Sequence, residues 1–514
     1  MSNNEEDVKI SYFSGYIRNW KSLCHQLGLP LDMTREDRER ALLIAAYKKW
    51  KLDMMNKLCG MFAFALRDEG ENKTYCIRDQ VGQKQMFYTV ADGEFLCSGD
   101  INELASDSRY CKRLNRRMLQ QYLFYGFPIG SETFYEGISK LMPGHYAEWD
   151  GSSVKVVRYW APVFEPDNSK TAEEWAEEIQ NIINEILTEE KEDSQVPYKE
   201  SFLSGGVDSS YLLAASDAAC ANTVGYVEAG FDESELARRT AEILGKGFSV
   251  KMISPEEYFE RIPEVMDKMG QPLGDASAVA FSLGCASVSK KTRVVYSGEG
   301  IDEFFGGYNA HKRQLDPSWT YLTCSHIMSE EYVRAIMLEP DLSLRAAEPV
   351  EPYWKEVQDR DELAKKLTVD ISLWLEGDIY LNTDRTSTAC GVELHTPFSD
   401  IRLFNVARRI PAGYKFMNDQ NKYVFRLAAS SILPDEVAFR KKVGFPVPIR
   451  KWLADEKYNK PVAEKLFGKA SQKFFDQDEM KALWKGFLEG DETVWGRIYA
   501  IYAFLLWYEM KFDD

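Results

Sequence analysis

The sequence predicts two fold classes joined end to end: an α+β part built on antiparallel strands, then an α/β part built on a parallel sheet and finished by helices. Three observations carry this expectation. Residues 1 to about 160 hold short apolar runs parted by Asp, Gly and Asn turns, as an antiparallel sheet requires. Further on, the apolar pair Phe202-Leu203 runs into Ser204-Gly-Gly-Val-Asp-Ser-Ser210 and the helical stretch Tyr211–Ser216, after which strands and helices alternate. Between the two parts, Glu165-Pro-Asp-Asn-Ser-Lys170 has the composition of a linker.

In the first part the predicted strands are Gly60-Met-Phe-Ala-Phe-Ala-Leu66, Thr74-Tyr-Cys-Ile77, Gln85-Met-Phe-Tyr-Thr-Val90 and Glu94-Phe-Leu-Cys97. Helical periodicity marks Arg38–Tyr47 and Asn115–Leu123. In the second part an acidic helix, Thr171–Lys191, follows the linker, and the aromatic run Ile498–Tyr508 reads as a buried helix. Neither internal repeats nor low-complexity tracts interrupt this order.

Composition narrows the function. A chain of 514 residues has room for two substantial cores, and a net charge of −18 argues against a basic surface for nucleic acid. Nine cysteines are scattered without metal-ligand spacing, so free thiols, no zinc and a reducing compartment are expected. The polar, acidic start Met1–Val8 is no signal peptide and no apolar run reaches membrane-spanning length, which leaves the cytoplasm as the expected location and no membrane partner.

The chemistry concentrates in three segments. A strand, a glycine turn and a helix start at Ser204–Ser210 place backbone N–H groups and hydroxyls around a phosphate. The lysine of the usual triphosphate loop is missing and Asp208 stands there instead, a carboxylate that tolerates phosphates when a divalent cation lies between them. Such a loop favours release of pyrophosphate over transfer of the terminal phosphate. Val294-Val-Tyr-Ser-Gly-Glu-Gly-Ile-Asp-Glu-Phe-Phe-Gly-Gly-Tyr308 gathers Glu299, Asp302 and Glu303 within one glycine-bounded turn, acids that need a cation or cationic ligand as companion. The third segment, Pro434-Asp-Glu-Val-Ala-Phe-Arg-Lys-Lys-Val-Gly-Phe-Pro-Val-Pro448, presents Lys442 from a Phe/Gly/Pro-rich loop.

These segments, in this order, resemble the ATP-pyrophosphatase superfamily and within it the asparagine synthetases; the resemblance covers nearly all of the chain from about residue 9 onward. Gln271-Pro-Leu-Gly-Asp-Ala-Ser-Ala278 is similar to the substrate-pocket loop of that family, and Asp384–Arg402 to its helix-plus-strand signature. The resemblance implies an Ntn-hydrolase-type αββα sandwich over residues 1–162, a linker over 163–170, and over 171–514 a parallel-sheet domain like the adenine nucleotide α-hydrolases with a helical C-terminal part. It implies ATP and Mg²⁺ as cofactors, with Ser204, Gly205, Gly206 and Ser209 around the pyrophosphate and Asp208 and Asp302 on the metal. Leu203, Val224, Ser297 and Gly298 would lie near the nucleotide, Glu299 would take a proton from the attacking nitrogen, and Lys442 would stabilise transition-state charge. Asp275, Ser277 and Glu303 would bind the acceptor. The implied reaction makes an amide through an acyl-adenylate, most simply from aspartate and ammonia. An amide- or lactam-forming ligase of a peptide or small metabolite stays open, as does a non-catalytic scaffold.

The first part departs from the family's glutamine-hydrolysing domain. Asn56–Asp68, Ile77–Lys84 and Pro143–Asp150 resemble its strands and turns, but about the first fifty residues are expected to be missing, residue 2 is Ser2 in place of the nucleophilic cysteine, and the Asn-Gly-Glu motif appears only as Ser14-Gly-Tyr16. Loss of glutaminase activity follows as an expectation, with Cys24 and Cys59 as packing residues. A shortened sheet should also expose an edge, so a second copy or a partner subunit is expected to cover it.

Overall fold

Large and small residues alternate along the strand Gly60–Asp68, and that alternation organises the first part. The structure, a computed structural model, describes residues 7–192, 198–313, 322–323, 325–441, 444 and 446–513. Strands β1 (Val8–Ile17), β2 (Gly60–Asp68), β3 (Lys73–Arg78), β4 (Phe87–Ala91), β5 (Glu94–Ser98), β6 (Ser139–Lys140), β7 (His145–Trp149) and β8 (Val154–Arg158) form two antiparallel sheets, ordered β1-β2-β3-β7-β8 and β5-β4-β6. On one face of β2, Phe62, Phe64 and Leu66 pack against Leu42, Leu43, Ala46 and Tyr47 of a helix. On the other face Ala63, with Cys76 and Ala147, meets Met86 and Leu141, so small side chains let the sheets approach.

Helices α1 (Trp20–Leu27) and α2 (Arg35–Trp50) cover the larger sheet, while α3 (Ile101–Ala105) and α4 (Arg116–Tyr125) lie toward the smaller one, giving the expected αββα layers. Thr34 starts α2 by accepting from the Asp37 amide, with acids in its first turn and lysines in its last. Cys24 is buried in this core and Cys59 half-buried, as packing residues should be.

Strand β1 was not among the predicted strands. Its side chains are mostly polar or half-buried, and Gly15 breaks the alternation; at φ +105° a Cβ there would sit 2.0 Å from the Met61 carbonyl oxygen. As an edge strand it is partly covered from within: Arg40 donates to the Ile10 carbonyl at 3.0 Å and Arg35 to that of Gly15 at 3.4 Å. Ser2 lies outside the described residues.

The second part begins with α5 (Ala172–Lys191), whose N-terminus is closed by a reciprocal Thr171–Glu174 capping box and whose buried stripe is Trp175, Ile179, Ile183 and Ile186. Strands β9 (Glu200–Phe202), β10 (Cys220–Gly225), β11 (Gly247–Met252), β12 (Val294–Tyr296) and β13 (Glu393–His395) form one parallel sheet ordered β11-β10-β9-β12-β13. Helices α6 (Val207–Ala215), α7 (Ser234–Ile243), α8 (Pro255–Met269) and α9 (Ser277–Val288) connect the strands. The chain moves outward from β9 to β11 and returns to the other side of β9 with β12. A crevice therefore opens at the carboxyl ends of β9 and β12, where ligands bind in open parallel sheets. Helices fill the remainder, among them a ten-residue π-helix, Asp370–Ile379, running into the α-helix Tyr380–Ala389, and the apolar terminal helix Trp495–Phe512. Among the described residues, no helix is long and apolar enough to cross a membrane.

Charged residues seal the two parts together. Arg78 reaches Glu376 at 3.1 Å and Lys140 reaches the same carboxylate at 2.7 Å, while Lys84 pairs with Asp384. Arg18, fully buried, bonds Glu190 at 2.8 Å and also Asp400. His395 lies between Glu190 at 2.8 Å and Glu393 at 3.1 Å, and the Tyr16 ring stacks on it at 4.0 Å. Burial alone would pull the His395 pKa down, but the two carboxylates outweigh it and hold it above the ordinary value. Burial would push Glu393 up, yet His395 and Arg35 bring it down to about 2.

Breaking such a buried pair by removing one partner costs about 3–5 kcal/mol. Arg18→Ala, which leaves Glu190 to His395 and Asp400 to Arg402 with an unfilled buried space between them, is therefore expected to lower the thermal midpoint markedly, whereas Lys21→Ala at the exposed pair with Glu192 leaves it nearly unchanged. The pH dependence has a definite sign. The share of Glu393 in the stability is present above its ordinary value of 4.5 and lost as pH falls toward about 2; the imidazole's share is present below 6.5 and lost as pH rises through its raised value. The melting difference between the native chain and His395→Asn should thus be greatest between 4.5 and 6.5 and shrink on either side.

Candidate active site

Two loops meet in the crevice. The first leaves β9 at Phe202; Leu203, whose amide bonds the Asn222 carbonyl at 2.8 Å, is buried in the sheet's flank. Gly205 takes φ +77°, a left-handed conformation that turns the chain, and extended Gly206 caps α6. The hydroxyls of Ser204 and Ser209 lie 3.1 Å apart, and Ser209 Oγ also receives the Ser204 amide at 3.2 Å. Arg440 donates to the Gly205 carbonyl at 2.7 Å and steadies the turn from outside. The result is a ring of hydroxyls and a helix N-terminus, suited to an anion.

The second loop leaves β12. The Ser297 amide bonds the His395 carbonyl at 2.9 Å, and Gly298 then passes so close to α6 that a Cβ would lie 3.2 Å from the Ser209 nitrogen and 3.3 Å from Asp208. A side chain at 298 would force the loops apart. Glu299 is oriented at both ends: Ser297 Oγ donates to its carboxylate at 2.9 Å, and Ser399 Oγ to its carbonyl at 2.9 Å. Helix α10 (Ile301–Phe305) follows, carrying Asp302 and Glu303. Gly307 doubles back over it, where a Cβ would fall 1.6 Å from Asp302 Oδ1.

Asp208 of the first loop and Asp302 of the second converge on one group, the Lys422 ammonium, at 2.5 and 2.6 Å. Lys422 is 2% exposed; burial would lower its pKa, but the two carboxylates raise it above the ordinary lysine value. The neighbouring Asn421 holds the lysine in register, donating from Nδ2 to the Gly307 carbonyl at 2.9 Å. Glu303 is buried beside this pair; burial first, then Asp302 and Glu299, push it up to about 8, and Tyr308 donates to it at 2.7 Å. Two carboxylates facing a single positive charge, next to an anion cradle, fit Mg²⁺, which takes one or two carboxylates and completes its shell with water and phosphate oxygens.

The structure thus brings together Ser204, Gly205, Gly206, Asp208, Ser209, Ser297, Gly298, Glu299, Asp302 and Glu303. Val224 is a buried strand residue under α9, its Cγ1 3.2 Å from where a Gly284 Cβ would be. Asp275 and Ser277 bond each other at the start of α9, 2.8 Å from the Ser277 amide to the carboxylate, and make no hydrogen bond to either loop among the described residues. Lys442 lies outside the described residues. Sequence reasoning missed Lys422: it sits in Asn421-Lys422-Tyr423, which carries no motif, and only the fold brings it to the acids.

Known proteins resemble both parts of the chain. Residues 167–509 match the asparagine synthase family model and residues 1–160 the glutamine amidotransferase domain model. The chain is 28% identical over 557 aligned positions to the glutamine-hydrolyzing asparagine synthetase 1 of Bacillus subtilis, covering 99% of this chain and 87% of that protein. It is 24% identical to the glutamine-hydrolyzing asparagine synthetase 3 of the same organism, over 86% of this chain and 76% of that one. A shorter match, 28% identical over 55% of this chain and 45% of the relative, is to the amidase chyE of Penicillium rubens. The chain belongs to the asparagine synthase family and is a ligase that forms carbon–nitrogen bonds at the expense of ATP.

Proposed function

We propose that the chain converts aspartate to asparagine with free ammonia as the nitrogen donor, and that its first part does not hydrolyse glutamine. The observation that carries the ligase half is the convergence of Asp208 and Asp302, from two loops, on one buried cation beside the serine cradle. In this reading Ser204, Gly205, Gly206 and Ser209 receive the departing pyrophosphate. Asp208 and Asp302 would hold Mg²⁺, which when bound offsets the charge on that leaving group. Leu203, Val224, Ser297 and Gly298 line the nucleotide through their backbone. Glu299, already oriented by Ser297 and Ser399, takes the proton that ammonia must shed as it bonds to carbon. Asp275, Ser277 and Glu303 serve the acceptor, and Lys442 the charge around the reacting centre. The working division is residues 1–162, a linker over 163–170, and 171–514.

The glutamine half rests on Tyr16. Where the family's motif places a carboxylate for the substrate amine, this chain has an aromatic ring stacked on His395, its hydroxyl bonded to Glu190 and Arg18. That side chain is committed to the seam between the parts.

Asparagine formation from aspartate and ATP is expected with ammonium and absent with glutamine, read by chromatography of the products; equal yield from glutamine would refute the glutamine half. Asp302→Asn is expected to cut turnover by about 10²–10³-fold, the effect of removing one charge-stabilising group in a water-poor site. A variant with near-native turnover would place the metal elsewhere.

A further inference from the structure

A further cation stands behind the crevice. Arg426, on the helix Tyr423–Ala429 one turn past Lys422, is 2% exposed, and no carboxylate bonds it among the described residues. Its guanidinium is directed at carbonyls instead: Nε donates to that of Asn421 at 2.9 Å, and Nη1 to those of Ala438 at 2.8 Å and Arg440 at 2.9 Å. Burial draws its pKa below the ordinary arginine value, and the attraction of Asp208 and Asp302 offsets only part of this. A buried cation without a bonded anion is costly to keep, which points to the carbonyls it holds.

Those carbonyls belong to two segments that frame the crevice. Asn421 precedes Lys422, and its side chain also donates to the Gly307 carbonyl at 2.9 Å, so this segment is held by the acidic loop on one side and by Arg426 on the other. Lys422 stands at φ +46° and ψ 43°, in the left-handed region, which a residue with a side chain keeps only where its surroundings impose it. That turn lays the ammonium between Asp208 and Asp302. Ala438 and Arg440 belong to the other segment, and the Arg440 side chain donates onward to the Gly205 carbonyl at 2.7 Å and to Thr240 Oγ1 at 3.2 Å. A continuous series of bonds thus runs from the turn at the acid pair, through Arg426, to the turn of the serine cradle. An ammonium would not reproduce it, because it lacks the planar fork that serves acceptors in two directions at a fixed separation.

We propose that Arg426 is a positioning residue of the ligase reaction: from behind the crevice it fixes the Lys422 turn and, through Arg440, the Gly205 turn at one separation, and so keeps the acid-pair cation and the cradle in register for pyrophosphate. This rests on the reading of the crevice as the pyrophosphate site and is independent of the acceptor and of the nitrogen donor.

The test is thermal melting of the full chain in MgCl₂ at constant ionic strength, titrated with sodium pyrophosphate or with AMP. The native chain is expected to be stabilised by both. In Arg426→Lys the half-saturating concentration of pyrophosphate should rise about tenfold or more, the usual effect of removing a group that orients binding residues from behind, while that of AMP stays the same. A loss of packing alone would lower the ligand-free midpoint without separating the two ligands. Should Arg426→Lys fail to fold, Arg440→Met, which cuts the same series at a half-buried residue, carries the same expectation. Where both fold, the double variant should lose no more pyrophosphate affinity than the weaker-binding single one, as members of one linked unit do. A pyrophosphate half-saturation unchanged in the variants, or raised together with that of AMP, would overturn the proposal while leaving the crevice reading intact. A native chain that pyrophosphate does not stabilise would instead refute the crevice reading, and the proposal with it.

Discussion

The approach of two glycine-bounded loops at the reversal of strand order governs the rest of the site. Because β9 and β12 are neighbours and both point into the crevice, the loops that follow them must share one space. Gly298 lets the backbones come within contact distance, and Gly307 leaves room for the Asp302 carboxylate. Two negative charges so placed would repel, and the buried Lys422 ammonium between them offsets that repulsion. The Lys422 ammonium marks where positive charge is required and so gives the acid pair its meaning.

The first part of the chain is built into this arrangement. Arg18 is inserted between Glu190 and Asp400, and Asp400 follows Ser399, whose hydroxyl holds the Glu299 carbonyl. His395, clamped by Glu190 and Glu393 under the Tyr16 ring, offers its carbonyl to the Ser297 amide. The seam therefore reaches the backbone of the acidic loop through two short connections. The first part of the chain, through Tyr16 and Arg18, is thus the other half of this buried charge cluster.

Much of this was legible in the sequence wherever a local pattern suffices. The strand β2, the helix α5 and the glycine-bounded turns at Ser204 and Ser297 each carry their conformation in neighbouring residues, and they appear where expected. Strand β1 was missed because its burial alternates poorly, and its pairing with β2 comes from the sheet. Lys422, Arg18 and the π-helix at Asp370–Ile379 were missed because nothing adjacent in sequence marks them; their partners lie far along the chain. Asp275 and Ser277, expected at the acceptor from the resemblance, bond each other at the start of α9.

The bond of ATP that breaks tests this account most directly. With the α-phosphate radiolabelled and aspartate and ammonium present, the serine cradle and the absence of a phosphate-loop lysine require the label to appear in AMP, with pyrophosphate as the other product. Label recovered in ADP would mean that the terminal phosphate is transferred, and would contradict the assignment of the crevice.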